Sequence, residues 1–353
     1  MTATMKDVAK RAGVALVTVS RVVNANGYVH ENTRARVQAA IDALGYIPNQ
    51  VARNLNSRQT NTVALVLPTI SDPFWHSIAR GVEDEAESRG YSVLLCNTDD
   101  DSSKEARYID TLLRDRVCGV VIVPAFESAP QLQRLQRQGM PFVQVHRRVT
   151  AIDSDFIGMD SYSGTRALTN HLIAQGRARI AYVGGVNALS TGAERLVGYR
   201  EALADAGITA DPALIRTGPY RPRVGYELVR ELLAVPRRPD ALVVGNSTLA
   251  LGALHALAEA NVQMPHDIAV AAYYIVDQDE DYSPFAVTAV QQTYDMARLG
   301  ARCLFERLGD QDAPSRNVII PNRIVLHPLF ASQTVTTVAE TPDSFFPPAH
   351  IIP

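Results

Sequence analysis

From Thr62 to about His327 the chain repeats one pattern: a short run of mostly apolar residues, then a longer stretch with apolar residues at helical spacing. Runs at Val63–Leu67, Ser92–Asn97, Gly119–Val123 and Phe142–Val145 predict strands, with helices near 74–89, 103–115 and 130–138 between them. A second series predicts strands at Ile180–Val183, Ala241–Val244 and Ile268–Tyr273, with helices near 163–175, 193–206, 223–233 and 248–260. This alternation leaves few folds open. Strands that are apolar throughout are buried on both faces, and strands joined by helices run parallel, so helices must cover a doubly wound sheet on both sides. So many strands need two such sheets. A helix near 294–308 and a strand pair within Asn317–His327 close this body, and periodicity leaves open which sheet they join.

The first sixty residues follow a different rule. In the stretch Met5 to Asn24, Thr4 precedes a T-x-x-D capping box, Val8, Ala9 and Ala12 fall at helical spacing, and Gly13 stops the helix. A second helix of about eight residues resumes near Leu16 and buries Val19, Val22 and Val23, leaving Leu16, Val17, Thr18, Ser20 and Arg21 outward. A third, starting at Asn32 or Thr33 and ending at Gly45, packs Val37, Ala40, Ile41 and Leu44 on the first two. A short polar-faced helix after a tight glycine turn suits the major groove of B-DNA, about 12 Å wide. Residues 1–60 hold eight Lys or Arg against three Asp or Glu, a balance of +5, and the remainder holds 26 against 34, or −8. A basic head on an acidic body attracts a polyanion at one end only.

After the third helix, Tyr46-Ile47-Pro48 breaks the pattern, and residues 49–56 have the length of two further turns, too short to be helical alone in water. They are expected to order only with DNA and a second subunit. Residues 331–353, rich in Thr and Pro and without a leucine heptad, predict a loose tail. At 353 residues, two or three domains are expected. Cys96, Cys118 and Cys303 are odd in number and far apart, which favours reduced, packed thiols. The chain shows no apolar signal segment and no run of 18 apolar residues, so a cytoplasmic location is expected.

The string KDVAKRAGV, TVSRVVN and GYVHENTRARVQAAIDALGYIPNQVARNL, followed by TNTVALVLPTISDPFW, resembles the lactose-repressor (LacI/GalR) family of bacterial transcription regulators over about residues 4–330. The resemblance implies an all-α helix-turn-helix DNA-binding domain plus an α/β periplasmic-binding-protein-like regulatory domain of two doubly wound subdomains. Its boundaries here would be 1–46 for the DNA-binding domain, 47–60 for the hinge and 61–330 for the effector-binding and dimerisation domain. Within the latter, about 61–161 and 291–321 form one subdomain, and 162–290 and 322–330 the other.

The resemblance also implies site residues. Groove readers fall at Leu16, Val17 and Arg21; Arg21 can pair bidentately with guanine, worth about 1–3 kcal/mol of discrimination, while Leu16 and Val17 offer apolar surface to thymine methyls or, alternatively, cover the domain core. Thr4, Thr18, Ser20, Asn24, Thr33 and Asn49 carry short polar groups suited to phosphates. Ala15 and His30 stand where the family commonly has Ser; the first change removes an N-cap worth about 1 kcal/mol. Leu55 matches a leucine that wedges into the minor groove, and Ala52 lets the hinge backbone approach closely. In the body, Phe74 and Trp75 correspond to pocket aromatics, although aromatics after a strand also serve ordinary packing. Thr191 and Arg195 align with effector contacts; Arg195 could instead pair with Glu194 or Glu201 on the surface. Arg147 and Asn246 face the cleft by the same resemblance. Tyr274 replaces a usual Asp and would narrow the cleft, stack on a ligand or fill it, while His146 and Arg177 mark further changed walls.

An enzyme on this fold is the first rival, yet the chain has no G-x-x-x-x-G-K-[ST], G-x-G-x-x-G after a strand, G-x-S-x-G or H-E-x-x-H. No catalytic residue, metal site or cofactor is assigned, and Asp99-Asp100-Asp101 reads as a helix cap rather than a metal cluster. A pure ligand-binding module has no use for the basic head. The expected function is a homodimeric, operator-binding transcription regulator, most simply a repressor, controlled by a sugar or other small polar effector. A regulator of the same family working without a conventional effector stays open, as does the sign of the coupling, typically about 1–3 kcal/mol.

Overall fold

In the computed structural model, residues 3–23, 26–46, 60–274 and 283–327 are described. Contacts divide the chain into two units, residues 1–60 and 61–353.

The first unit is three helices, α1 (Met5–Ala12), α2 (Leu16–Val23) and α3 (Glu31–Leu44). Thr4 caps α1 reciprocally: its amide donates to Asp7 Oδ2 at 2.8 Å, and the Asp7 amide donates to Thr4 Oγ1 at 3.4 Å. Gly13 ends α1 in the left-handed region, φ +62°, where a side chain is strained. Arg36 of α3 fastens that turn by donating to the Ala12 carbonyl at 2.5 Å. Val8, Ala9, Ala12, Val19, Val22, Val37, Ala40 and Tyr46 form the core, and Val23, Ile41 and Leu44 pack on it half-buried.

The second unit holds two six-stranded sheets, with strand orders β11-β5-β4-β3-β1-β2 and β12-β10-β9-β8-β6-β7. The first comprises β1 (Thr62–Leu67), β2 (Ser92–Asn97), β3 (Val120–Ile122), β4 (Phe142–Val145), β5 (Asp155–Met159) and β11 (Asn317–Ile320), all parallel. Around it lie α4 (Pro73–Glu87), α5 (Ser102–Asp115), α6 (Ala129–Arg137) and α11 (Thr293–Gly309). The second comprises β6 (Ile180–Gly184), β7 (Ile215–Thr217), β8 (Ala241–Val244), β9 (Ala269–Tyr273), β10 (Val287–Val290) and β12 (Arg323–Leu326), with only β12 antiparallel, against β10. Its helices are α7 (Ser161–Ala174), α8 (Ser190–Asp205), α9 (Pro222–Leu233) and α10 (Ser247–Glu259).

The chain crosses between the sheets three times: after β5, after β10, and between β11 and β12. β11 and β12 are therefore not a hairpin, although only two residues separate them. Each sheet carries apolar clusters on both faces, as parallel strands covered by helices require. Asp155, fully buried at the start of β5, pairs with Arg307 at 2.8 Å and Arg316 at 3.0 Å, pinning α11 and the approach to β11. Cys96, Cys118 and Cys303 are each buried. No described helix is long and apolar enough to cross a membrane.

Candidate functional site

In each sheet the strand order reverses beside the first strand: between β1 and β3 in one, between β6 and β8 in the other. At such a point the connections leave in opposite directions and open a crevice at the carboxyl ends of the strands. The segments leaving those ends converge on a cavity of about 50 Å³. Phe74 and Trp75 reach it from the start of α4, Asp100 from beyond β2, His146 and Arg147 from beyond β4, Arg195 from α8, Tyr220 from beyond β7, Asn246 from beyond β8 and Gln291 from beyond β10.

Phe74 and Trp75 meet edge to face, with ring centres 4.8 Å apart, and both lie against His146, at 4.8 and 5.6 Å. His146 has φ +63°, a left-handed backbone that His, Asn and Asp adopt more readily than other side chains. Burial, and then the positive charges of Arg195 and Arg147, push its pKa well below the usual value, so its imidazole is neutral. Arg147 lies 5.7 Å from the Trp75 ring and 5.9 Å from that of Tyr220, within cation–π range, and pairs with Asp100 at 2.5 Å. Arg195 stacks 4.0 Å over Tyr273 and donates one Nη1 hydrogen bond to the Gly245 carbonyl. Its Nε and Nη2, the Nε of Arg147, the Nδ1 of His146, the hydroxyls of Thr191 and Tyr220 and the Nε2 of Gln291 have no hydrogen-bond partner among the described residues.

Three links join the halves of the crevice. Thr248 donates to Asp72, Arg148 pairs with Glu194 at 3.3 Å, and the Arg148 amide donates to Ser190 Oγ at 3.1 Å. Beside the cavity lie pockets of about 540 Å³, lined by Thr69, Asp72, Tyr220, Thr248 and Tyr274 among others, and about 380 Å³, reaching Phe126 and Leu189.

Of the expected effector residues, Phe74, Trp75, Arg147, Arg195 and Asn246 line the cavity itself. Thr191 does not; it is buried one turn before Arg195 on α8. Tyr274 borders the neighbouring 540 Å³ pocket and packs on Phe285, ring centres 4.9 Å apart, so it does not fill the cavity. A surface ion pair for Arg195 is ruled out: it is buried, Glu194 is paired with Arg148, and Glu201 accepts from Tyr162. Arg177 is not a cleft wall. It donates to the carbonyls of Asp240, Pro265 and His266 at the amino ends of β8 and β9, the opposite edge of the sheet. The run Asp99-Asp100-Asp101 divides: Asp101 caps α5, Asp99 pairs with Lys104, and Asp100 turns into the cleft. Among the described residues no cluster could hold a metal ion.

On the first unit, Leu16 and Val17 are 44 % and 57 % exposed and Arg21 is exposed, so the two apolar residues do not cover the core. Thr18, Ser20 and Thr33 are half-buried. Thr4 is a poor phosphate donor because its hydroxyl already donates to Asp7 at 2.6 Å. His30 stands at the N-cap of α3 without a side-chain capping bond. Tyr28, 86 % exposed between α2 and α3, is a surface aromatic that periodicity does not single out. Asn24, Asn49, Ala52 and Leu55, together with the hinge at 47–59 and the tail, lie outside the described residues.

Residues 4–49 match the bacterial regulatory proteins of the lacI family, and residues 60–327 match the periplasmic binding proteins and sugar binding domain of that family. The chain is 36 % identical over 307 residues to the ribose operon repressor of Escherichia coli K12, covering 87 % of this chain and 93 % of that protein. It is 32 % identical over 325 residues to the transcriptional repressor PurR of Mannheimia succiniciproducens, covering 92 % and 97 %. Among solved structures it resembles the lac repressor dimer bound to operator and the anti-inducer ONPF, with TM-score 0.83, 26 % identity and coverage of 94 % and 100 %. The complex of the regulator CelR with cellobiose gives TM-score 0.70, 30 % identity and coverage of 92 % and 98 %. With both halves matched in the order the fold presents them, this chain belongs to the LacI family of bacterial transcription regulators.

Proposed function

We propose that the protein is a cytoplasmic repressor that binds a palindromic operator as a homodimer and is governed by a small polar effector in the crevice between its two sheets. One observation carries this reading: the same chain holds a basic three-helix head with an exposed reading face on α2 and a two-sheet body whose crevice keeps buried polar groups without partners. Buried polar groups are nearly always satisfied, so a concentration of unpaired ones around one cavity is a site prepared for a ligand. The relatives support it: a ribose operon repressor, a PurR repressor, a lac repressor held on its operator and a regulator with cellobiose.

In this reading Leu16, Val17 and Arg21 read base edges, while Thr18, Ser20, Asn24, Thr33 and Asn49 hold phosphates. Leu55 wedges into the central step with its symmetry mate, and Ala52 allows the close approach this needs. Residues 1–46, 47–60 and 61–330 act as head, hinge and regulatory body. The second copy covers apolar surface that one chain leaves bare: Leu94 and Leu95 on the edge strand β2 and Leu251 on α10, each at least 40 % exposed. Ligand acts by changing how the halves joined by Asp72–Thr248 and Arg148–Glu194 sit, and so whether paired hinges order.

Selection of the full-length protein on random duplexes, followed by footprinting, tests this. The expected outcome is two half-sites related by a dyad, occupied by one dimer. A single asymmetric site bound by a monomer, or binding without sequence preference at physiological salt, would overturn it.

A further inference from the structure

We infer that the ligand of this crevice carries an anionic oxygen group, a carboxylate or a phosphate, and that Arg195 seats it. The inference rests on the crevice being the effector site proposed above, and it narrows that effector's chemistry.

The first argument is what the cavity leaves unpaired. Arg195 Nε and Nη2, Arg147 Nε and Gln291 Nε2 can only donate, whereas His146 and the hydroxyl of Tyr220 can do either. A neutral polyol brings donors as well as acceptors, and its hydroxyl hydrogens need acceptors in the wall. Both wall carboxylates already hold a donor on each oxygen, which leaves them reduced capacity for a ligand's hydroxyls. Asp100 is paired with Arg147, and Asp72 accepts the Phe74 amide at 2.9 Å and the Thr248 hydroxyl. The vacancies therefore suit a group that only accepts.

Charge gives the second argument. Arg195 is 3 % exposed and forms no ion pair with a described carboxylate. Among the described residues it is held by the Gly245 carbonyl and by Tyr273, and Glu194, the carboxylate whose charge it feels, is paired with Arg148. A guanidinium does not lose its proton, so a buried one without a counter-ion is costly until a negative group arrives. The free edge, Nε with Nη2, is the side of the fork that takes two oxygens of one oxyanion. Neutral His146 and the cation of Arg147 line the same cavity, and neither residue 146 nor residue 274 supplies an acid.

Size gives the third. The cavity of about 50 Å³ has room for one small polar group, while the 540 Å³ and 380 Å³ pockets, which share Thr69 and Tyr220 with it, can hold the ligand's body.

Trp75 is the only tryptophan in the chain and packs on His146, so its fluorescence reports the wall of this cavity. The full-length protein at fixed pH and ionic strength is titrated with acetate, inorganic phosphate, and the matched sets glucose, gluconate, glucose 6-phosphate and ribose, ribonate, ribose 5-phosphate. At least one anion should give a saturable change, tenfold or more tighter than its neutral parent, and the carboxylate and phosphate arms identify the group. Arg195→Gln should weaken it at least tenfold and Arg195→Lys less. His146→Asp, which keeps Arg195 but sets a carboxylate beside it, should weaken it likewise, so a folding defect in one variant, checked by melting, does not decide the question. A neutral sugar that saturates as tightly as its acid would overturn the inference and leave the effector crevice standing. No saturable response to any anion also overturns it, because the charge of Arg195 is then met within the chain; operator binding by the same preparation would show the regulator reading intact.

Discussion

The proposed reading face of α2 and the proposed ligand wall of the crevice are built from opposite kinds of residue. Leu16, Val17 and Arg21 stand on solvent above a core built by Val19 and Val22, so any of them can be exchanged without repacking. Arg195, Arg147 and His146 are each at least 93 % buried, stacked on one another's aromatic neighbours, and His146 sits on a left-handed backbone. Exchanging one of them leaves a void or an unmatched group in addition to any change in the proposed ligand contact. The head can thus acquire a new operator by single steps, whereas the crevice must change in concert. Stability divides the same way: the head has a small core and relies on caps and turns, and the body has four apolar clusters and a buried ion network.

The largest effect should separate the two units by stability. Asp155→Ala removes the buried carboxylate that Arg307 and Arg316 share, which is expected to cost about 3 kcal/mol, the low end for a broken buried pair because Arg316 keeps Glu306 and Arg307 keeps its carbonyl acceptors. Urea unfolding followed by body and head probes should show the body's midpoint fall while the head's stays. A matching fall in the head would break the comparison, since it would mean the units unfold as one.

A second effect should separate them by function. Arg21→Ala is expected to lose about 1–3 kcal/mol of discrimination at one base pair of each half-site, with the melting of both units unchanged. Uniform weakening on all sequences, with a shallower salt dependence, would reassign Arg21 to phosphate contact.

The difference between the regions also decides how much could be read from sequence. Long apolar runs such as TVALVL and ALVV report burial on both faces and were legible as strands with ends correct to a residue or two. β5, β7 and β10 were not. β5 opens with the buried acid Asp155 and includes Gly158, over which the Phe156 ring folds, β7 has three residues at a sheet edge, and β10 interrupts its apolar run with Thr288. The separation of β11 and β12 into different sheets depends on tertiary pairing that no local pattern encodes. In the crevice, Trp75, Arg195 and Asn246 followed from resemblance. Asp100, Tyr220 and Gln291 did not, because they arrive on separate loops whose meeting depends on strand order. On α2 helical spacing alone placed Leu16, Val17 and Arg21 outward as observed, whereas Thr18 and Ser20, also expected outward, and Val23, expected buried, are half-buried.

The smallest effect tests the claim that the head leans on its caps. Thr4 closes α1 with a side-chain oxygen, but Ala15, ahead of α2, offers only its carbonyl, which accepts from the Thr18 and Val19 amides at 2.9 and 3.3 Å. The remaining first-turn amides of α2 have no side-chain acceptor there. Ala15→Ser supplies one, and should raise the head's stability by about 0.5–1 kcal/mol, read as a higher melting temperature for the head and none for the body. Because the added hydroxyl also borders the reading face, affinity for operator and nonspecific duplex should rise together, as a phosphate contact requires. Stabilisation without any gain on DNA would show that residue 15 serves the fold alone, leaving the readers of α2 to carry recognition from a helix whose start is only weakly held.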